Sequence, residues 1–139
     1  MSRKNVHSLL KRGLIISGTL LSLVVVTSAF AQGRDADGSR LQAKTIKMSS
    51  TQRDTLLPPR DRIDWRSIKV ASNTKVTFSV KHKPIKASVK LLLTDARGNQ
   101  VATASSSKGS AAISQTLKPG VYYIAVSSSA KVSYSLSVN

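Results

Sequence analysis

Two stretches near the C-terminus, each with apolar residues at every second position, constrain the fold of this chain more than any other feature. A Lys118-Pro119-Gly120 turn feeds Val121 to Val126, where Tyr122, Ile124 and Val126 share a face. A short Ser127 to Ala130 loop feeds a second run, in which Val132, Tyr134, Leu136 and Val138 do the same. A period of two is the mark of a half-buried β-strand. Strands of this kind need neighbours in a sheet and a facing layer, which the preceding segments must supply.

Those segments carry the same signal. From Thr74 to Lys81, Val76, Phe78 and Val80 alternate with Lys75, Thr77, Ser79 and Lys81. After His82-Lys83-Pro84-Ile85-Lys86, the segment Ala87 to Thr94 sets Val89, Leu91 and Leu93 against Ser88, Lys90, Leu92 and Thr94. Asp95-Ala96-Arg97-Gly98 is a tight turn in which Gly98 supplies the positive φ, and Asn73 is a second candidate for that conformation in Ala71-Ser72-Asn73. Weaker strands are expected at Lys44 to Met48, at Ile68 and Val70 behind an Asp61-Arg62-Ile63-Asp64-Trp65 entrance, at Gln100 to Ser105 and at Ala111 to Leu117. Ser49 to Arg60, with Pro58 and Pro59, is expected as a turn. About eight short strands separated by turn signals predict an all-β, jelly-roll-like antiparallel β-sandwich, its edges blunted by Lys and Pro. The lone Trp65 is expected to cover one end of the core, beside an Asp that caps backbone N–H groups; an exposed ligand platform is the functional alternative.

Ahead of this domain lies an address. Arg3, Lys4, Lys11 and Arg12 precede an uncharged run from Gly13 to Ala31 that closes on Ala29-Phe30-Ala31. This is the pattern of a signal peptide, residues 1–31, cut before Gln32; an uncleaved signal anchor is the alternative, and the only membrane contact expected. Residues 32–43, with Gly33, Asp35, Asp37, Gly38 and Ser39, are expected as a flexible linker, and residues 44–139 as the sandwich. Asp35-Ala36-Asp37-Gly38 has the look of the start of a calcium loop, but such a loop closes on a Glu and the chain has none, so no metal and no cofactor is expected.

The chain has no cysteine. An exported domain without disulfides rests on its core alone, which suits a periplasm or a bacterial surface. From Gln32 onward eighteen Lys and Arg stand against six Asp, a formal charge of +12. Such a charge favours polyanions: an anionic polysaccharide of the envelope, a lipid headgroup or a nucleic acid. Lys75, Lys81, Lys83, Lys86 and Lys90 fall within sixteen residues that hold no acid. If the two strands around them pair as a hairpin, their lysines cluster on one face; in a jelly roll the strands fall in opposite sheets and the patch divides. Lysines act as point charges without bidentate reading, so sequence-specific nucleic-acid recognition is not expected. Catalysis is not expected either, because His82 is the only histidine after residue 31, no nucleophile elbow surrounds any serine, and His82 reads as a surface residue. A protein-binding envelope factor, or an inhibitor of a secreted enzyme, is the alternative function.

The order of motifs resembles the bacterial pre-peptidase C-terminal domain. The residues that carry the resemblance are Asp61, Asp64 and Trp65; Val76 to Val80; Leu91, Leu93, Asp95 and Gly98; Leu117, Pro119, Gly120, Tyr122, Tyr123 and Val126; and Tyr134, Leu136 and Val138. The resemblance spans roughly Lys44 to Asn139 and implies a jelly-roll-like sandwich of non-catalytic, binding-module character, with relatives that bind collagen or polysaccharide. Arg66 stands where the family often has an aromatic residue and Asn73 where it often has glycine. The acidic residues that support calcium in some relatives are largely missing. The resemblance therefore implies a fold and a binding character, but no ligand or metal site.

Overall fold

The computed structural model describes residues 36–139; the expected signal peptide and the expected cleavage site lie outside them. A 3-10 turn at Arg40–Gln42 leads into nine strands: β1 (Lys44–Thr45), β2 (Ser50–Leu56), β3 (Ile63–Val70), β4 (Thr74–Lys83), β5 (Val89–Thr94), β6 (Gln100–Ser105), β7 (Ser110–Leu117), β8 (Gly120–Ser128) and β9 (Val132–Val138). They form a five-stranded sheet in the order β1-β3-β8-β5-β6 and a four-stranded sheet in the order β2-β9-β4-β7. Only β1 and β3 pair in parallel; every other ladder is antiparallel. The all-β sandwich expected from the alternation is the observed architecture.

The core lies where the two inner faces meet. Val76, Phe78 and Val80 of β4 and Leu136 and Val138 of β9 face Leu91 and Leu93 of β5 and Ile124 and Val126 of β8, all fully buried. Each comes from the apolar parity of its strand, so removal of these side chains from water holds the two layers together.

Successive strands mostly switch sheets, so β4 and β5 belong to opposite layers and the hairpin option fails. The expected strand at Lys44 to Met48 shortens to two residues, while Ser50–Leu56, expected within a turn, is a full strand paired along its length with β9. Its inward positions carry Gln52 and Asp54 ahead of Leu56, and these two polar residues hide the period. Asn73 does not take positive φ; among the described residues Ser49 and Lys108 do, with Gly98 at +92° as expected. The edges also differ from expectation, since β6 and β7 carry neither Lys nor Pro.

The described part of the expected linker is docked. Asp37 is buried, its carbonyl accepts the Trp65 N–H at 2.9 Å, and the Arg40 guanidinium donates to the carbonyl of Ala96 at 3.2 Å. A buried carboxylate needs a partner, and Arg66 of β3 provides it.

Candidate functional site

Most of the outer face of the four-stranded sheet is built from small hydroxyl-bearing side chains. Thr51 pairs with Ser137 at 2.8 Å, Thr55 with Ser133 at 3.3 Å and Thr77 with Ser114 at 3.0 Å, each across neighbouring strands. At one end of this floor two cross-strand rows carry positive charge. Register places Arg53, Ser135 and Lys81 in one row and Thr55, Ser133 and Lys83 in the next. These residues line an open depression of about 620 Å³. Arg53 and Lys81 stand two strand spacings apart, roughly 10 Å between backbones, with Ser135 between them. Both lysines and Arg53 are exposed, so the surface offers strand-borne hydroxyls flanked by solvent-exposed cations.

Of the expected lysine cluster, Lys75, Lys81 and Lys83 share the outer face of β4, with Lys75 toward the far end. Lys86 lies in the loop after β4, and Lys90 faces outward from β5 in the other sheet, beside Ser127 and Ser105. The structure thus divides the patch. Arg53 joins it instead, and sequence reasoning missed it because β2 was not recognisable.

Directly inward of the same strands lies a buried charge cluster. The middle row is Asp54, Tyr134 and His82, all pointing into the sandwich. Arg66, only 2% exposed, donates from Nη2 to Asp54 at 2.8 Å and from Nε to Gln52 at 2.9 Å, and its Nη1 donates to Asp37. Tyr134 donates its hydroxyl hydrogen to Asp64, whose carboxylate also lies 3.8 Å from Arg66. Lys44 pairs with Asp37 at 3.1 Å from the rim. Burial pushes the Asp64 pKa up to about 7, with the neighbouring Asp37 charge adding to the rise while Tyr134 and Arg66 oppose it. The Arg66 pKa, which burial alone would lower, is held up by Tyr134 and the three carboxylates.

Ligand oxygens of Asp37, Asp54 and Asp64 lie within 4.8 Å of one another, close to the span across a calcium ion whose oxygens sit at about 2.3–2.6 Å. Arg66 already supplies the cation among them, hydrogen-bonded to two of the three. As it stands the cluster is an ion network in which the Arg66 guanidinium takes the cation's place, and it engages Asp37 of the apparent calcium loop.

His82 departs from expectation. It is 4% exposed, on the core parity of β4, with Nδ1 3.1 Å from the carbonyl oxygen of Pro84 and Nε2 buried without a partner. Among the described residues it hydrogen-bonds no serine in the manner of a catalytic base. Trp65 also differs: it alternates with buried Asp64 and Arg66 and so lies on the outer face of the five-stranded sheet, half-buried, beside Ala125 and in the same row as Leu92. Asp64 serves Tyr134 rather than a turn.

The remaining motif residues shape turns. Asp61 N–H meets the Leu57 carbonyl at 3.3 Å where Leu57 and Asp61 form an isolated bridge. Asp95 accepts the N–H groups of Arg97 and Asn99 at 2.8 and 2.9 Å and lets Gly98 turn the chain. Past Pro119, Gly120 opens β8, and the Tyr122 hydroxyl donates to the Lys118 carbonyl at 3.0 Å to close that turn.

With this geometry in view, the likeness to solved structures is specific to the fold. The chain is similar to the pre-peptidase C-terminal domain of a collagenase from Bacillus anthracis, with 24% identity over 70% of this chain and 94% of that one, at a TM-score of 0.64. The fold is that of a pre-peptidase C-terminal domain. A periplasmic inhibitor of g-type lysozyme from Aeromonas hydrophila, PliG, aligns at 13% identity over 70% of this chain and 97% of its own, with a TM-score of 0.41. No protein-family model and no curated protein matches the sequence. In this pre-peptidase-like sandwich the hydroxyl floor, with Arg53, Lys81 and Lys83 at one end, is the outer surface of one layer, and the Arg66 network lies beneath that end.

Proposed function

We propose that the protein is an exported, non-catalytic binding module that holds an anionic envelope or extracellular polymer on the outer face of its four-stranded sheet. The observation that carries this reading is the pair of rows in which Arg53, Lys81 and Lys83 frame Thr55, Ser133 and Ser135. Three cations attract a polyanion, and a floor of hydroxyls accepts and donates hydrogen bonds to sugar or ester oxygens without demanding a particular sequence. A strand-built floor costs little entropy to organise because the ladders already fix it. Export rests on the signal pattern before Gln32. The absence of chemistry rests on the side-chain inventory, in which Cys and Glu are missing and His82 is turned inward.

Retention on heparin across a salt series tests the proposal, with heparin standing for any polyanion. The protein is expected to elute at distinctly higher salt than a variant carrying Arg53→Gln, Lys81→Gln and Lys83→Gln. Each lost cation should reduce the salt slope by roughly one unit. Identical elution of the two proteins would sink the proposal.

A further inference from the structure

Among the described residues, the four-stranded sheet ends on a strand whose outer side has no partner strand. Asn139 and Thr77 exchange backbone bonds of 2.7 and 3.0 Å, so the odd-numbered residues of β4 bond to β9. The even-numbered ones bond to β7, as the 2.9 Å contact from the His82 N–H to the Gly109 carbonyl shows. In an antiparallel ladder bonded residues alternate, so on β7 the residues used are Ala111, Ile113, Gln115 and Leu117. The N–H and C=O groups of Ala112, Ser114 and Thr116 therefore point away from the sheet, and β7 is last in its order. Apart from the Ser107–Ser110 bridge at its start, β7 makes no ladder on that side among the described residues.

Proteins usually guard such an edge with lysine, proline or a bulge. This one is eight residues long, unbroken in register with β4, and free of charge and proline. Residues 100–117 contain a single charged side chain, Lys108, in a protein whose formal charge is +16. Two positively charged copies repel one another over most of their surfaces, and least along this side.

We propose that β7 is a self-association edge, and that a second copy of this chain pairs with it antiparallel about a two-fold axis at Ser114. The open backbone groups are symmetric about that residue. Ser114 then faces Ser114 of the second copy and Ala112 faces its Thr116, so only small side chains meet on the outer face. The four-stranded sheet becomes a continuous eight-stranded one, and the two hydroxyl floors lie on the same side.

The mass in solution, by sedimentation equilibrium across a concentration series on the protein as its own cells process it, tests this. The wild type is expected to approach twice the single-chain mass. Ser114→Lys and Ser114→Asp change an exposed position, and each sets like charges opposite each other on the axis, so each should weaken association at least about tenfold. An equal mixture of the two should recover a heterodimer, because the charges then attract in that register alone. A wild type that stays single at every concentration, a Ser114→Lys variant that dimerises unchanged, or a mixture that does not recover would each overturn the proposal.

Discussion

Tyr134 donates its hydroxyl hydrogen to Asp64 across the interior of the sandwich, joining β9 to β3 over 70 residues of sequence. The contact couples stability to pH. Burial places the Asp64 pKa at about 7, above its ordinary 3.8, so the folded protein keeps a proton that the unfolded chain releases between those values. The stabilisation is complete below the unfolded value and is lost as pH rises through the folded one, with a slope of at most about 1.4 kcal/mol per pH unit. Asp64→Asn keeps an oxygen for Tyr134 to donate to but cannot ionise. Urea midpoints between pH 3.8 and about 7 are expected to fall more steeply for the wild type than for Asp64→Asn; parallel profiles would contradict this account.

Among the described residues Arg66 is the cation hydrogen-bonded to both Asp37 and Asp54 at the heart of the network. Arg66→Ala leaves the buried Asp37 carboxylate, with the partly exposed Asp54 and buried Asp64 beside it, without its main counter-charge, and a loss of about 3–5 kcal/mol is expected by denaturant unfolding. The same variant opens a space ringed by three carboxylates at calcium-like spacing. Millimolar calcium is therefore expected to raise the melting temperature of Arg66→Ala while leaving the wild type unchanged.

Lys90 and Lys81 sit on opposite outer faces of the sandwich. If the four-stranded face holds the polyanion, Lys90→Gln should elute from heparin close to the wild type, and Lys81→Gln clearly earlier. Equal shifts would indicate diffuse attraction by net charge, without a site.

Gly98 has φ of +92°, and a Cβ there would come within 2.6 Å of Arg40 Nη1. The guanidinium is the far end of a flexible side chain and can swing aside, whereas the backbone cannot. Gly98→Ala is expected to cost about 1–2 kcal/mol through φ strain. The cost should persist in an Arg40→Ala background; its disappearance there would assign it to the side-chain clash.

The alternating apolar residues of β4, β5, β8 and β9 made the sandwich legible in the sequence, because burial on one face imposes a period of two that needs no knowledge of the partner strand. The Asp95–Gly98 turn was legible for a local reason as well, since glycine relieves a strain felt within the turn itself. β2 was not, because its inward residues include Gln52 and Asp54, whose polarity makes sense only against an arginine fourteen and twelve residues later. Asp37 looked like linker for the same reason. His82 and its lysine neighbours looked like a surface turn, although β4 runs on through Lys83 and carries the histidine inward.

Alternation within each strand thus determined which side chains face inward along β4, β5, β8 and β9, and the charge pattern determined that the surface is basic. Tertiary structure alone decided which strands are neighbours. That choice depends on contacts between residues far apart in the chain, whose free energy appears only when the layers close. It separated Lys90 from Lys81, brought Arg53 beside Lys81 and Lys83, gathered Asp37, Asp54 and Asp64 around Arg66, and left β7 as an open edge.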